Sequence, residues 1–134
     1  MYLLDTCVVS ELRKPRPHGG VLTWFEGLPE AAVHICAVTV GEIQAGIEKT
    51  RDQDPAKADD LEAWLGRVSN HYGALDLDAE TFRIWARLMH KRSGTLMMDG
   101  MIAACAKRHG LTVATRNTQD FAHFNVPLLN PWQR

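Results

Sequence analysis

The sequence predicts an α/β fold with a mostly parallel sheet. Two observations carry this. Short apolar segments alternate along the chain with longer stretches whose apolar residues recur at helical spacing. The segment "AVHICAV" (32–38) is apolar almost throughout, the pattern of a strand covered on both faces rather than on one. At 134 residues the chain fits a single domain over 1–134. Its apolar fraction of 46% and charged fraction of 23% are those of a soluble globular protein. No apolar run approaches the ~20 residues of a membrane span. Asp5 interrupts the first apolar run and no basic region precedes it, so a signal peptide is not expected and the chain is expected in the cytoplasm.

The elements follow in order. Residues 1–5, "MYLLD", read as a first strand. "VVSELRK" carries helical signals and is stopped by Pro15 and Pro17. "GGVLTWFEGL" reads as a short amphipathic helix with Val21, Leu22, Trp24, Phe25 and Leu28 on its apolar side, ended by Pro29. "AVHICAV" is the second strand. Thr39 followed by Glu42 has capping-box spacing and predicts a helix starting there. After a polar turn, a further helix is expected from about Pro55 to Gly73. "ALDLD" is a brief strand, and its Asp78 caps the helix of "AETFRIWARLMHKRSG". A very apolar helix from about Asp99 to His109 ends at Gly110. "LTVAT" is a strand, "RNTQDFAHF" a polar loop or helical turn, and "VPLLNPW" a final short strand.

Cys7, Cys36 and Cys105 sit among apolar or small neighbours with no C-x-x-C pair, so buried thiols are expected rather than disulfides or a zinc site. The six histidines show no metal-ligand spacing. The net charge of −1 lacks the basic excess of a dedicated nucleic-acid binder, but it does not exclude a nucleic-acid enzyme, in which a metal offsets phosphate charge. Arg13-Lys14-Pro15-Arg16 and the stretch Arg87 to Arg92 are candidate basic patches, with solvated helix faces as the plainer reading.

Most of the 16 acids lie in polar stretches or at helix starts. Four stand apart. Asp5 ends strand one, Glu42 follows strand two, Asp99 opens the most apolar helix and Asp120 follows "LTVAT". Sites in open parallel sheets form outside the carboxyl ends of the strands, so one sheet edge gathers all four. Taken singly, Glu42 is equally a capping partner, Asp99 a helix-dipole acid and Asp120 a loop residue. Together, converging carboxylates repel and call for a cation. An oxygen-only set points to Mg²⁺, or Mn²⁺, and to phosphodiester hydrolysis.

At these residues the chain resembles the PIN-domain ribonucleases, and more narrowly the VapC-type toxins of toxin–antitoxin pairs. "YLLDTCVVSEL", "AVTVGEIQAGI", "MMDGMIAACAKRHGLTVATRNTQDF" and "VPLLNPW" carry the resemblance, which covers nearly the whole chain. It implies a Rossmann-like sheet of four or five parallel strands with helices on both faces. Metal binding by Asp5, Glu42, Asp99 and Asp120 is implied, with Thr6, Thr115 and Asn117 as polar helpers. Also implied are an RNA substrate, a homodimer, and a VapB-like antitoxin through which alone operator DNA is reached. Position 7, often Asn in the family, is Cys here, and a thiol cannot replace an amide's donors and acceptor.

The main expectation is a Mg²⁺-dependent endoribonuclease toxin. Two other readings stand beside it. One is an aspartyl-phosphate phosphotransferase with Asp5 as nucleophile, although Cys7 stands where the second Asp of a D-x-D pair belongs. The other is a non-catalytic metal-binding interaction module. Trp24, Phe25, Trp64, Leu65 and Trp85 are candidates for a dimer face or antitoxin groove, or for the core, which is the assignment favoured for Trp85. Met97, Met98 and Met101 read as core or interface packing.

Overall fold

The computed structural model describes residues 1–133. Four short strands form one sheet in the order β2-β1-β3-β4, with every neighbouring pair parallel. They are β1 (Tyr2–Leu4), β2 (Val33–His34), β3 (Thr112–Ala114) and β4 (Leu128–Leu129). The central pair sets Leu3 against Val113 and Leu4 against Ala114. The helices are α1 (Thr6–Arg13), α2 (Gly19–Glu26), α3 (Ala37–Arg51), α4 (Pro55–Tyr72), α5 (Ala79–Met89), α6 (Met97–His109) and α7 (Thr118–Phe121).

Strand alternation divides the core in two. Leu3 and Val113 pack on one side with Ile102, Ala103, Cys105 and Ala106 of α6. Leu4 and Ala114 pack on the other with Val8 and Val9 of α1 and Val21 and Trp24 of α2. Both faces are therefore covered, which is why the strands carry no polar alternation. A third cluster, Ile47, Ala58 and Leu65, closes α3 against α4.

Several boundaries depend on one residue each. The Asp54 carboxylate accepts from the Lys57 N–H, Pro55 opens α4, and Gly73 closes it at φ +61°. Asp78 accepts from the Thr81 N–H and hydroxyl at the start of α5. Gly110 ends α6 at φ +66°. Pro55, Gly73, Asp78 and Gly110 match the sequence expectations; the Asp54 cap was not anticipated.

Other expectations are corrected. The Thr39–Glu42 pair is not a capping box: α3 starts at Ala37 with Cys36 at its N-cap, so Thr39 is already helical. The Ala37 N–H is satisfied by the Leu75 carbonyl, which lets the helix begin early. "AVHICAV" is accordingly strand only at Val33 and His34. "ALDLD" contributes a single parallel bridge, Cys36 to Leu75, rather than a fifth strand. Asp5 does sit at a helix start, since α1 begins at Thr6, two residues before "VVSELRK". The helix that carries Asp99 begins at Met97, ahead of that acid.

Glu11, read as one of the self-explained polar acids, is buried, because it takes the Lys14 ammonium and the His18 backbone N–H. Trp85 is only half-buried; its indole N–H donates to the Met97 carbonyl. Met97 and Met98 are exposed, so neither is core. Trp24 and Leu65 are core, whereas Phe25 and Trp64 line an apolar cleft of about 180 Å³ with Leu12, Val68 and Tyr72. Cys36 and Cys105 are buried free thiols; Cys7 is half-buried.

Phe121 is fully buried and packs edge-on against Phe124. Truncating a buried Phe removes apolar contact and leaves a cavity. Phe121→Ala is expected to lower unfolding free energy by about 3–5 kcal/mol, read from urea denaturation.

Candidate active site

The site grows from the carboxyl end of β1. The Asp5 N–H continues the ladder to the Ala114 carbonyl at 2.9 Å, which fixes the backbone at the sheet edge. The chain then turns into α1 with Asp5 as N-cap, only 4% exposed. A carboxylate this buried needs donors. It has three. The Thr6 N–H donates to Oδ1 at 2.8 Å, the Thr115 hydroxyl to Oδ2 at 2.7 Å, and the Cys7 thiol to Oδ2 at 3.5 Å. Burial and the Asp5 charge push the Cys7 thiol up to about 11, so it remains an S–H donor at neutral pH.

Thr115, fully buried at the end of β3, also accepts the Asn117 N–H at 3.0 Å. Thr6 reaches across to α3, where its hydroxyl donates to Glu42 Oε1 at 2.7 Å and lies 3.4 Å from the Thr39 hydroxyl. This contact explains why Thr39 and Glu42 are not a cap: both look toward α1. Glu42 is half-buried with Oε2 unpartnered among the described residues. Asp99, in the first turn of α6, is half-buried, whereas Asp120 and Asn117 are exposed on the loop and short helix after β3.

Asp99 feels the other three acids. The Asp99 carboxyl is pushed up to about 6, first by burial and then by the charges of Asp5, Asp120 and Glu42. It accepts no side-chain hydrogen bond among the described residues, and no Lys, Arg or His there forms a salt bridge with any of these four. Uncompensated carboxylates at one sheet edge suit a hard divalent cation. No three His, Cys, Asp or Glu side chains among the described residues stand close enough to share an ion. That is compatible with Mg²⁺, which takes one or two carboxylates and completes its shell with water and phosphate oxygens. The donor set fits such an ion.

The remaining sequence-predicted helpers, Thr6 and Thr115, both touch site carboxylates, while the Asn117 side chain is open to solvent. Sequence reasoning undervalued Cys7, whose only signal was its place two residues after Asp5. It also passed over Arg116 and Trp132, where the guanidinium lies over the indole at 5.2 Å.

Fold and site together define a parallel α/β domain with a buried, hydrogen-bonded carboxylate, Asp5, at the carboxyl edge of its central strand. The sequence matches the PIN domain over residues 2–126, and the chain belongs to that family. It is 36% identical to VapC ribonuclease Y4jK of Sinorhizobium fredii, with 99% of each chain covered. It is 34% identical to toxin FitB of Neisseria gonorrhoeae, covering 98% of this chain and 99% of that one. Among solved structures, FitAB bound to an IR36 DNA fragment superposes with a TM-score of 0.86 at 32% identity, covering 100% of this chain and 97% of that chain.

The raised Asp99 value means that folding disfavours its ionised form. The stability held by the protonated form is full below about 4 and is lost as pH rises to about 6. In metal-free buffer the thermal midpoint is expected to fall across that window. Asp99→Asn should remove that fall and be the more stable protein at pH 7, and Mg²⁺ should raise the wild-type midpoint more at pH 7 than at pH 4.5. Differential scanning calorimetry across pH checks all three.

Proposed function

We propose that this protein is a divalent-metal-dependent endoribonuclease, the toxin of a toxin–antitoxin pair. The observation that carries the reading is the half-buried Asp99, which feels the charges of three further carboxylates and has no cationic partner among the described residues to offset them. The kinship with a VapC ribonuclease and the FitB toxin supplies the reaction class. We assign metal binding to Asp5, Glu42, Asp99 and Asp120, with Mg²⁺ the ion that suits the oxygen donors and Mn²⁺ an alternative. We further propose that the chain works as a homodimer, is silenced by a VapB-like antitoxin, and meets operator DNA only through that antitoxin.

When bound, the ion offsets phosphate charge and lowers the pKa of a coordinated water. The chain's own residues prepare that chemistry. Thr115, Cys7 and the Thr6 N–H lock the Asp5 carboxylate in one orientation. Oδ2 takes two of these donors and Oδ1 one, so Oδ1 keeps an acceptor position. Thr6 holds Glu42 through Oε1 and leaves Oε2 to accept from a water or an ion's shell. Asp120, exposed at the rim, is free to turn toward substrate. The buried, triply hydrogen-bonded Asp5 is a poor nucleophile, which weighs against the phosphotransferase reading.

Purified free of antitoxin, the protein is expected to cut single-stranded RNA with Mg²⁺ or Mn²⁺ and not with EDTA. Asp5→Asn and Asp99→Asn should each lose on the order of 10²-fold or more in cleavage rate, as expected when charge stabilisation at the reacting phosphate is removed. Wild-type rates in both variants would overturn the mechanism.

A further inference from the structure

Two arginines beside these acids share an unusual setting. Arg13, at the end of α1, lies over the Trp64 ring with Cζ 6.0 Å from its centroid. Arg116, just after β3, lies over Trp132 at 5.2 Å. Neither forms a salt bridge among the described residues, whereas Lys14, Arg51, Arg83, Arg87 and Arg108 each face an acid. Their guanidinium groups also donate no hydrogen bond among the described residues.

Each arginine opens onto a cleft that shares a wall with the site. Arg13 lines a cleft of about 240 Å³ together with Thr6, Ser10 and Glu42. Arg116 lines a polar cleft of about 340 Å³ with Asn117, Asp120, Asn130 and Gln133. One uncommitted guanidinium therefore shares a cleft with Glu42 and another shares a cleft with Asp120.

An aromatic ring beneath a guanidinium holds its plane and reduces the entropy lost when it is used. The planar fork is matched to phosphate oxygens and is more weakly hydrated than an ammonium. Near four carboxylates, an unpaired arginine would be drawn into an ion pair if its reach allowed. Stacking keeps both apart from the acids and ready for an external anion.

The second cleft has a further feature. The Asn130 Oδ1 takes the Trp132 N–H at 2.9 Å, which fixes that amide and leaves its NH₂ as a donor. With Asn117 and Gln133 it forms a wall of amides, the groups that read the hydrogen-bonding edges of unstacked bases.

We infer that Arg13 and Arg116 grip the RNA phosphates on either side of the scissile one, and that the Asn117, Asn130 and Gln133 wall receives a base on the Arg116 side. The inference rests on the nuclease reading and assigns its substrate path. It explains how a chain of net charge −1 holds a polyanion: two placed cations replace a basic surface.

The test uses the Asp99→Asn protein, which should bind RNA without cutting it. Arg13→Gln and Arg116→Gln are introduced singly and together. Binding of a short single-stranded RNA is followed by fluorescence anisotropy across a salt series. Each lost phosphate contact should flatten the slope of log K against log salt by about 0.7, and the double variant by about 1.4. Arg→Lys at either position should restore most of the slope, which a merely structural role would not do. Lys107→Gln, exposed at the far end of α6, should leave it unchanged. Unchanged slopes in both Gln variants, with the parent still binding RNA, would overturn the inference and leave the nuclease reading standing. No RNA binding by the parent would overturn both.

Discussion

The Asp5 carboxylate and its hydrogen bonds form the joint on which the rest depends. Its oxygens collect a backbone N–H from α1, a hydroxyl from the end of β3 and a thiol from α1. The central strand, the first helix and the neighbouring strand are thereby fixed to one charged group. A buried carboxylate without donors would cost several kcal/mol, so this set of contacts is close to obligatory once the charge is there. Hydrogen bonds to charged groups are worth about 1.5–3 kcal/mol each, more than neutral ones. The same contacts that make the charge tolerable also hold its orientation.

A second constraint opposes the first. Asp99 and its acidic neighbours repel, and the repulsion is borne by packing elsewhere. Immediately behind Asp99, α6 runs through six buried positions, Gly100, Ile102, Ala103, Ala104, Cys105 and Ala106. Small residues dominate, which brings α6 close to α5 and to the sheet. At Gly100 an added Cβ would come within 2.6 Å of the Met89 sulfur. The helix that carries the least comfortable acid is thus among the most firmly seated elements.

Much of this was legible from local sequence, and the boundary of legibility is physical. Helix ends set by one residue, such as Pro55, Asp78, Gly73 and Gly110, were readable because cap chemistry is local. The place of Asp5 was readable because parallel strands must deliver their carboxyl ends to one edge. What failed depended on distant partners. Thr39 and Glu42 have capping-box spacing, but Thr6 on another helix takes Glu42, and the Leu75 carbonyl starts α3 earlier. Glu11 looked like a surface acid because its backbone partner, His18, lies beyond two prolines. Arg116 and Trp132 meet only because β3 and β4 pair in register.

The hydrogen bond between Thr115 and Asp5 spans 110 residues of chain. Its strands pair β1 with β3 across almost the same separation, and β1 has no earlier partner than the two residues of β2. Closing so long a loop is slow, and its return comes only when both ends are present. During synthesis the Thr6 N–H and the Cys7 thiol are at hand early, but the third donor to Asp5 and the central strand pairing wait until Thr115 and β3 have been made. A nuclease built on this topology has its own delay written into the order of its strands.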